Sequence, residues 1–198
     1  LLKDVDMCRD APCPRIVLVC CTAICSGGLA SEGLFTTTAD SPEVTDLYKS
    51  LTTSHCTHLL PPSATPQLVS CVLKMWLSEL DPEPLLTFKL LPALTSSDTP
   101  KDACAAILDE LPPVNRTALL LILETAHRVA SNAAINDTDA DAIAAALSPC
   151  LLWHAPETSG HDGNGATVHL IGGPLSGDDE ATFVKLLSHM ITHYRTLL

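Results

Sequence analysis

The stretch PQLVSCVLKMWLSELDPEPLL, Pro66 to Leu86, decides how the chain is read. Leu68, Val69, Cys71, Val72, Leu73, Met75, Trp76, Leu77 and Leu80 are apolar, and Ser70, Lys74 and Ser78 interrupt them at i, i+4 and i+8. That spacing puts the three polar residues on one stripe of a helix and the apolar residues around the rest of it. The pattern predicts a helix over about 67–80, ended by Pro82 and Pro84. It is mostly buried, and its one polar stripe faces solvent or a partner.

The same punctuation recurs on both sides. Pro14 suits a first helical position, the run Ile16 to Cys25 is apolar, and Gly27-Gly28 is expected to stop it. Ser41-Pro42-Glu43 is a cap and first turn for a helix to about Leu51, and Asp98-Thr99-Pro100 opens another to Glu110. Pro112-Pro113 precedes the longest helix, about Val114 to Asn132. Thr138 or Asp139 starts a shorter one to Leu147, expected to stop at Pro149. A last helix over about 179–197 carries Phe183, Val184, Leu187, Ile191, Tyr194 and Leu198 on one face. Thr167 to Ile171 is the only short strand candidate. These signals predict an all-α fold of about seven to nine helices in a single domain over 1–198. A flexible Gly-rich insertion is expected at about 155–180.

The 198 residues include 46% apolar types, enough for a full core, and the net charge is −12. An acidic surface repels nucleic acid, so no nucleic-acid partner is expected. The apolar run Ile16–Ile24 is far too short to span a bilayer, so no direct membrane insertion is expected. Nine cysteines without a CxxC pair sit mostly in apolar segments, which suits a reduced, cytoplasmic protein recruited to membranes, if at all, by other domains or partners. In that setting the sequons at Asn115 and Asn136 read as chance matches. The chain begins with leucine and is read as part of a larger multidomain protein. Ser54-His55-Cys56-Thr57-His58 and the pair His189/His193 lack further ligands at metal-site spacing, and the glycine clusters lack the Lys-Ser/Thr of a phosphate loop. Neither metal nor cofactor is expected.

In order, the landmarks resemble the Rho-type GTPase-activating (RhoGAP) domain family. Pro14-Arg15-Ile16-Val17 is similar to the opening of its first helix, and Glu32-Gly33-Leu34-Phe35 to its Glu-Gly-Ile/Leu-Phe loop. Leu73 to Leu80 with Pro82-Glu83-Pro84-Leu85-Leu86 resembles its helix ending in LPEPLL, here with Asp81 as an extra residue. Leu111 to Arg116 resembles its LPxxN junction, and Asn136 with Leu147 to Leu152 its closing block. Together the blocks span residues 14–152.

The resemblance implies an all-helical domain that binds a Rho-, Rac- or Cdc42-type small GTPase in its GTP state. Such domains speed hydrolysis with an arginine that neutralises charge on the transferred phosphoryl group, worth roughly 10³–10⁵ in rate. The family's arginine follows the loop Phe, and Thr36 stands there. Supporting positions are altered too: Ser78 stands for an arginine and Ala142 for an asparagine, while Lys74 is kept. The resemblance therefore points to a pseudo-GAP with no catalytic residue of its own and a GTPase-binding set of Gly33, Phe35, Thr36, Thr37, Lys74 and Ser78. It is expected to be no enzyme but a modulator of a partner enzyme, with its activator activity in doubt. Two alternatives stay open. One is a weakly active activator working by another mechanism. The other is a structural or peptide-binding domain of a larger protein, such as an inositol polyphosphate 5-phosphatase.

Overall fold

Five helices begin where a short polar side chain accepts a hydrogen bond from the amide three residues on. Ser41 takes it from Val44, Thr65 from Leu68, Thr99 from Asp102, Asp139 from Ala142 and Ser176 from Asp179. Each satisfies an amide that the first turn leaves without a partner. At three of them proline follows directly, with its φ already near the helical value.

The computed structural model describes residues 13–37, 41–53, 60–90, 99–153 and 175–197. Nine α-helices lie among them: α1 Arg15–Ala23, α2 Pro42–Thr53, α3 Pro66–Ser78, α4 Pro100–Glu110, α5 Pro113–Ala130, α6 Ala133–Asn136, α7 Ala140–Leu151, α8 Gly177–Thr192 and α9 Tyr194–Leu197. No strand occurs among the described residues, so the fold is all-α as expected. The strand candidate 167–171, the cluster 54–58 and most of the Gly-rich stretch lie outside the described residues.

α1 packs on α3 and α5, α3 also on α2 and α7, α5 on α8, and α7 lies most extensively along α8. One core runs through these contacts. It includes Val17, Cys20 and Ile24, then Val72, Leu73 and Leu77, Ile122 and Ala126, Ile143 and Leu147, and Phe183 and Leu187. Three motif blocks far apart in sequence meet at Leu85-Leu86. The Asn115 amide donates to the Leu85 carbonyl at 2.8 Å, and the Leu86 amide donates to the Leu151 carbonyl at 3.1 Å.

Local outcomes differ from the sequence reading in four places. Gly27-Gly28 does not stop the first helix; the chain widens into a π turn, Ile24–Gly28. Gly28 can sit there because the turn runs against Pro66, where an added Cβ would lie 2.8 Å from the Pro66 Cβ. α3 ends at Ser78, two residues early. Pro149 lies inside α7 and does not end it. The carbonyl it leaves without an amide belongs to exposed Ala145, while burial of Leu151 and Leu152 holds the last turn in place. The last helix breaks at His193, freeing the Ile191 carbonyl, and His127 Nδ1 meets that carbonyl at 2.8 Å. No helix among the described residues is long and apolar enough to cross a membrane.

Candidate functional site

Gly33 has φ +71° and Phe35 has φ +65°, so two left-handed residues turn the chain sharply at 33–35. Glycine at 33 avoids two costs, since a Cβ there would be strained at this φ and would lie 2.8 Å from Thr37 Oγ1. The amide and hydroxyl of Thr37 both donate to the Gly33 carbonyl, at 3.0 and 2.7 Å, and close the turn. Leu34 and Phe35 are fully buried beneath it, while Thr36 and Thr37 are exposed.

The stripe on α3 faces this loop. Gln67 donates to the Glu32 carbonyl at 3.0 Å, and the fully buried Ser70 hydroxyl accepts from the Phe35 amide at 3.4 Å. The Lys74 ammonium donates to the carbonyls of Phe35 at 2.5 Å and Thr37 at 2.9 Å. Cys71 Sγ reaches the same Thr37 carbonyl at 3.4 Å. The Lys74 charge is thus directed at two carbonyl oxygens of the loop.

Ser78, one turn further along α3, is exposed; its hydroxyl donates to the Lys74 carbonyl at 3.0 Å and also neighbours the Cys150 thiol. Burial pushes the thiols of Cys71 and Cys150 up from their usual range, against an opposing pull from Lys74. Ala142 is half-buried in the first turn of α7, about 12 Å along that helix from Cys150. Ser78 therefore has Cys150 rather than Ala142 as its neighbour on α7.

Asn136 holds the start of the loop. Its side chain is fully buried, donating to the carbonyls of Leu29 at 2.8 Å and Val129 at 2.9 Å and accepting from the Thr138 amide at 2.9 Å. Asn136 entered the sequence reading as a motif landmark and a chance sequon, not as a loop support; an asparagine bonding the amide two residues on, ahead of Asp137-Thr138, is the turn signal that could have revealed it. Ser70, Gln67 and Cys71 were likewise not named as loop supports. Asn136→Ala leaves buried polar groups without partners and is expected to cost about 2–3 kcal/mol. Thermal unfolding should show a midpoint lowered by about 5–10 °C; an unchanged midpoint would mean that water replaces all three bonds.

The RhoGAP domain family model matches residues 14–156, and the chain belongs to that family. It is 30% identical to Rho GTPase-activating protein 92B of Drosophila melanogaster over 145 residues, covering 70% of this chain and 20% of that protein. With human Rho GTPase-activating protein 17 it shares 30% identity over 159 residues, covering 77% of this chain and 18% of that one. The chain thus spans about a fifth of the length of these relatives. Among solved structures, human Rho GTPase activating protein 15 superposes with a TM-score of 0.75 at 18% identity, over 96% of this chain and 85% of that one. The BH domain from GRAF, the GTPase regulator associated with focal adhesion kinase, gives 0.70 at 19% identity, over 92% of each chain.

These findings correct one expectation. The chain was expected to be no enzyme, with doubtful activator activity, yet its family and relatives are named as GTPase-activating proteins, which are catalytic activators. It stands in a family of GTPase activators that act in Rho GTPase signalling, and that family implies a Rho-family GTPase partner.

Proposed function

We propose that this domain engages a Rho-family GTPase in its GTP state through the face that carries Gly33, Thr36, Thr37, Lys74 and Ser78, with Phe35 as the buried anchor beneath it. We further propose that the hydrolysis it stimulates is weak, because Thr36 occupies the position of the arginine finger. The observation carrying this reading is the loop itself: a turn held without the side chain of Thr36 presents that uncharged residue at its exposed tip. Threonine is short and neutral, so it can neither reach nor offset charge on a transferred phosphoryl group. Lys74 is directed at loop carbonyls, and Ser78 and Ala142 carry no charge. Residues 1–198 are read as one such domain within a larger multidomain protein, in line with the fifth of its relatives' length that it spans.

The test is a panel of Rho-family GTPases, measuring binding in GTP- and GDP-loaded forms and hydrolysis with and without the domain. Preferential binding of the GTP form is expected, with acceleration below about tenfold, against roughly 10³–10⁵ for an arginine finger. Acceleration far above tenfold would sink the weak-activation reading. Thr36→Arg is expected to restore little, since Ser78 and Ala142 leave the new side chain unsupported; full activity from that single change would show that the supporting positions do not matter.

A further inference from the structure

Ile135 is the most exposed large apolar residue among those described, at 63%. A single exposed apolar side chain is ordinary on a protein surface, so exposure alone decides nothing. Its mounting sets it apart. Ile135 sits on α6, next to Asn136, whose three hydrogen bonds fix the turn, and Asp137 follows in a left-handed conformation at φ +53°. A side chain held on such a fixed turn loses little freedom when a partner covers it.

The same asparagine holds the Leu29 carbonyl, where the loop bearing Thr36 begins, so Ile135 borders the face described above. Exposed Ala30 and Ala134 lie beside the two ends of that bond, and Leu29 is half-buried between them. Lys74, the one positive charge in the candidate set, is turned onto the carbonyls of Phe35 and Thr37 and is not offered to a partner at Ile135. An exposed apolar side chain on a rigid mount contributes to a contact through its burial.

We propose that Ile135 is the apolar anchor of the GTPase contact, filling an apolar depression on the partner, with Ala30 and Ala134 at its rim. The inference rests on the GTPase-binding reading above. It is tested with the full chain as wild type, Ile135→Asp and Ile135→Leu, each titrated against the GTP-loaded panel and each followed by thermal unfolding. Ile135→Asp should bind about tenfold or more weakly with an unchanged melting temperature, and Ile135→Leu should bind nearly as wild type. Undiminished binding by Ile135→Asp overturns the inference and leaves the GTPase reading intact. Wild type binding no member of the panel overturns that reading, and the inference with it. A concentration-dependent dimer that Ile135→Asp abolishes would assign the surface to a second copy of the chain and likewise overturn it.

Discussion

Phe35→Ala is expected to lower stability by about 3–5 kcal/mol, the usual range for removing a fully buried ring. The ring is completely covered, yet the residue sits at φ +65°, a conformation that costs a side-chain-bearing residue roughly 1–2 kcal/mol. Burying a phenylalanine is worth about 2–3 kcal/mol in transfer alone, with packing contacts added, so burial wins and the strained backbone persists. Alanine keeps most of the backbone cost and loses the compensation. Chemical denaturation should show a correspondingly lower midpoint with an unchanged slope. Phe35→Gly relieves the backbone and should fall short of the alanine loss by up to about 1 kcal/mol. A glycine variant less stable than the alanine variant would show that the left-handed conformation costs nothing here.

Alkaline instability is expected to be of comparable size. Burial pushes the Cys21 thiol up to about 12 and Cys104 up to about 11, and it raises Cys20 as well. For Cys20 the neighbouring Cys21 adds to the effect, while a hydrogen bond from Thr125 partly offsets it at Cys21. In the unfolded chain each thiol ionises near 8.5. Because the folded values are the higher ones, the stability linked to these thiols is complete below about pH 8.5 and is lost as pH rises toward the folded values. At pH 10 the three fully buried thiols together should cost on the order of 4–6 kcal/mol, a large part of a typical domain's 5–15. Urea midpoints at pH 7.5, 9 and 10 measure this directly. Cys104→Ala should flatten the profile by about a third, and a wild-type midpoint that holds steady from pH 8 to 10 would contradict the linkage.

Much of the helical layout was legible because its starts are chemically explicit. Ser41, Thr99 and Asp139 are capping residues, and the prolines beside two of them limit where a helix can begin. Ends were less legible, because they depend on what the next residues bury. Pro149 carries a strong local stop signal, yet the burial of Leu151 and Leu152 overrides it. The π turn at 24–28 was hidden for a similar reason: Gly27-Gly28 reads as a terminus, and only the approach of Pro66 gives Gly28 another use. For the candidate site, the sequence placed Ser70, Lys74 and Ser78 on one stripe and Gly33 to Thr37 in one loop. That the stripe grips the loop, with Lys74 and Phe35 39 positions apart in the chain, is a property of packing that no local pattern carries.

The side chain of Thr36 takes no part in the bonds that shape the turn. Those bonds run through the backbone of residues 32, 33, 35 and 37, the Thr37 hydroxyl, and Ser70, Cys71, Lys74 and Gln67 on α3. Unless proline stands at position 36, where it would disfavour the left-handed Phe35 before it, the turn beneath is built by other residues. Selection on the tip and selection on its mount are therefore separable. The tip side chain can be exchanged with little folding penalty, so what the domain presents to a partner and what holds its fold are set by different residues.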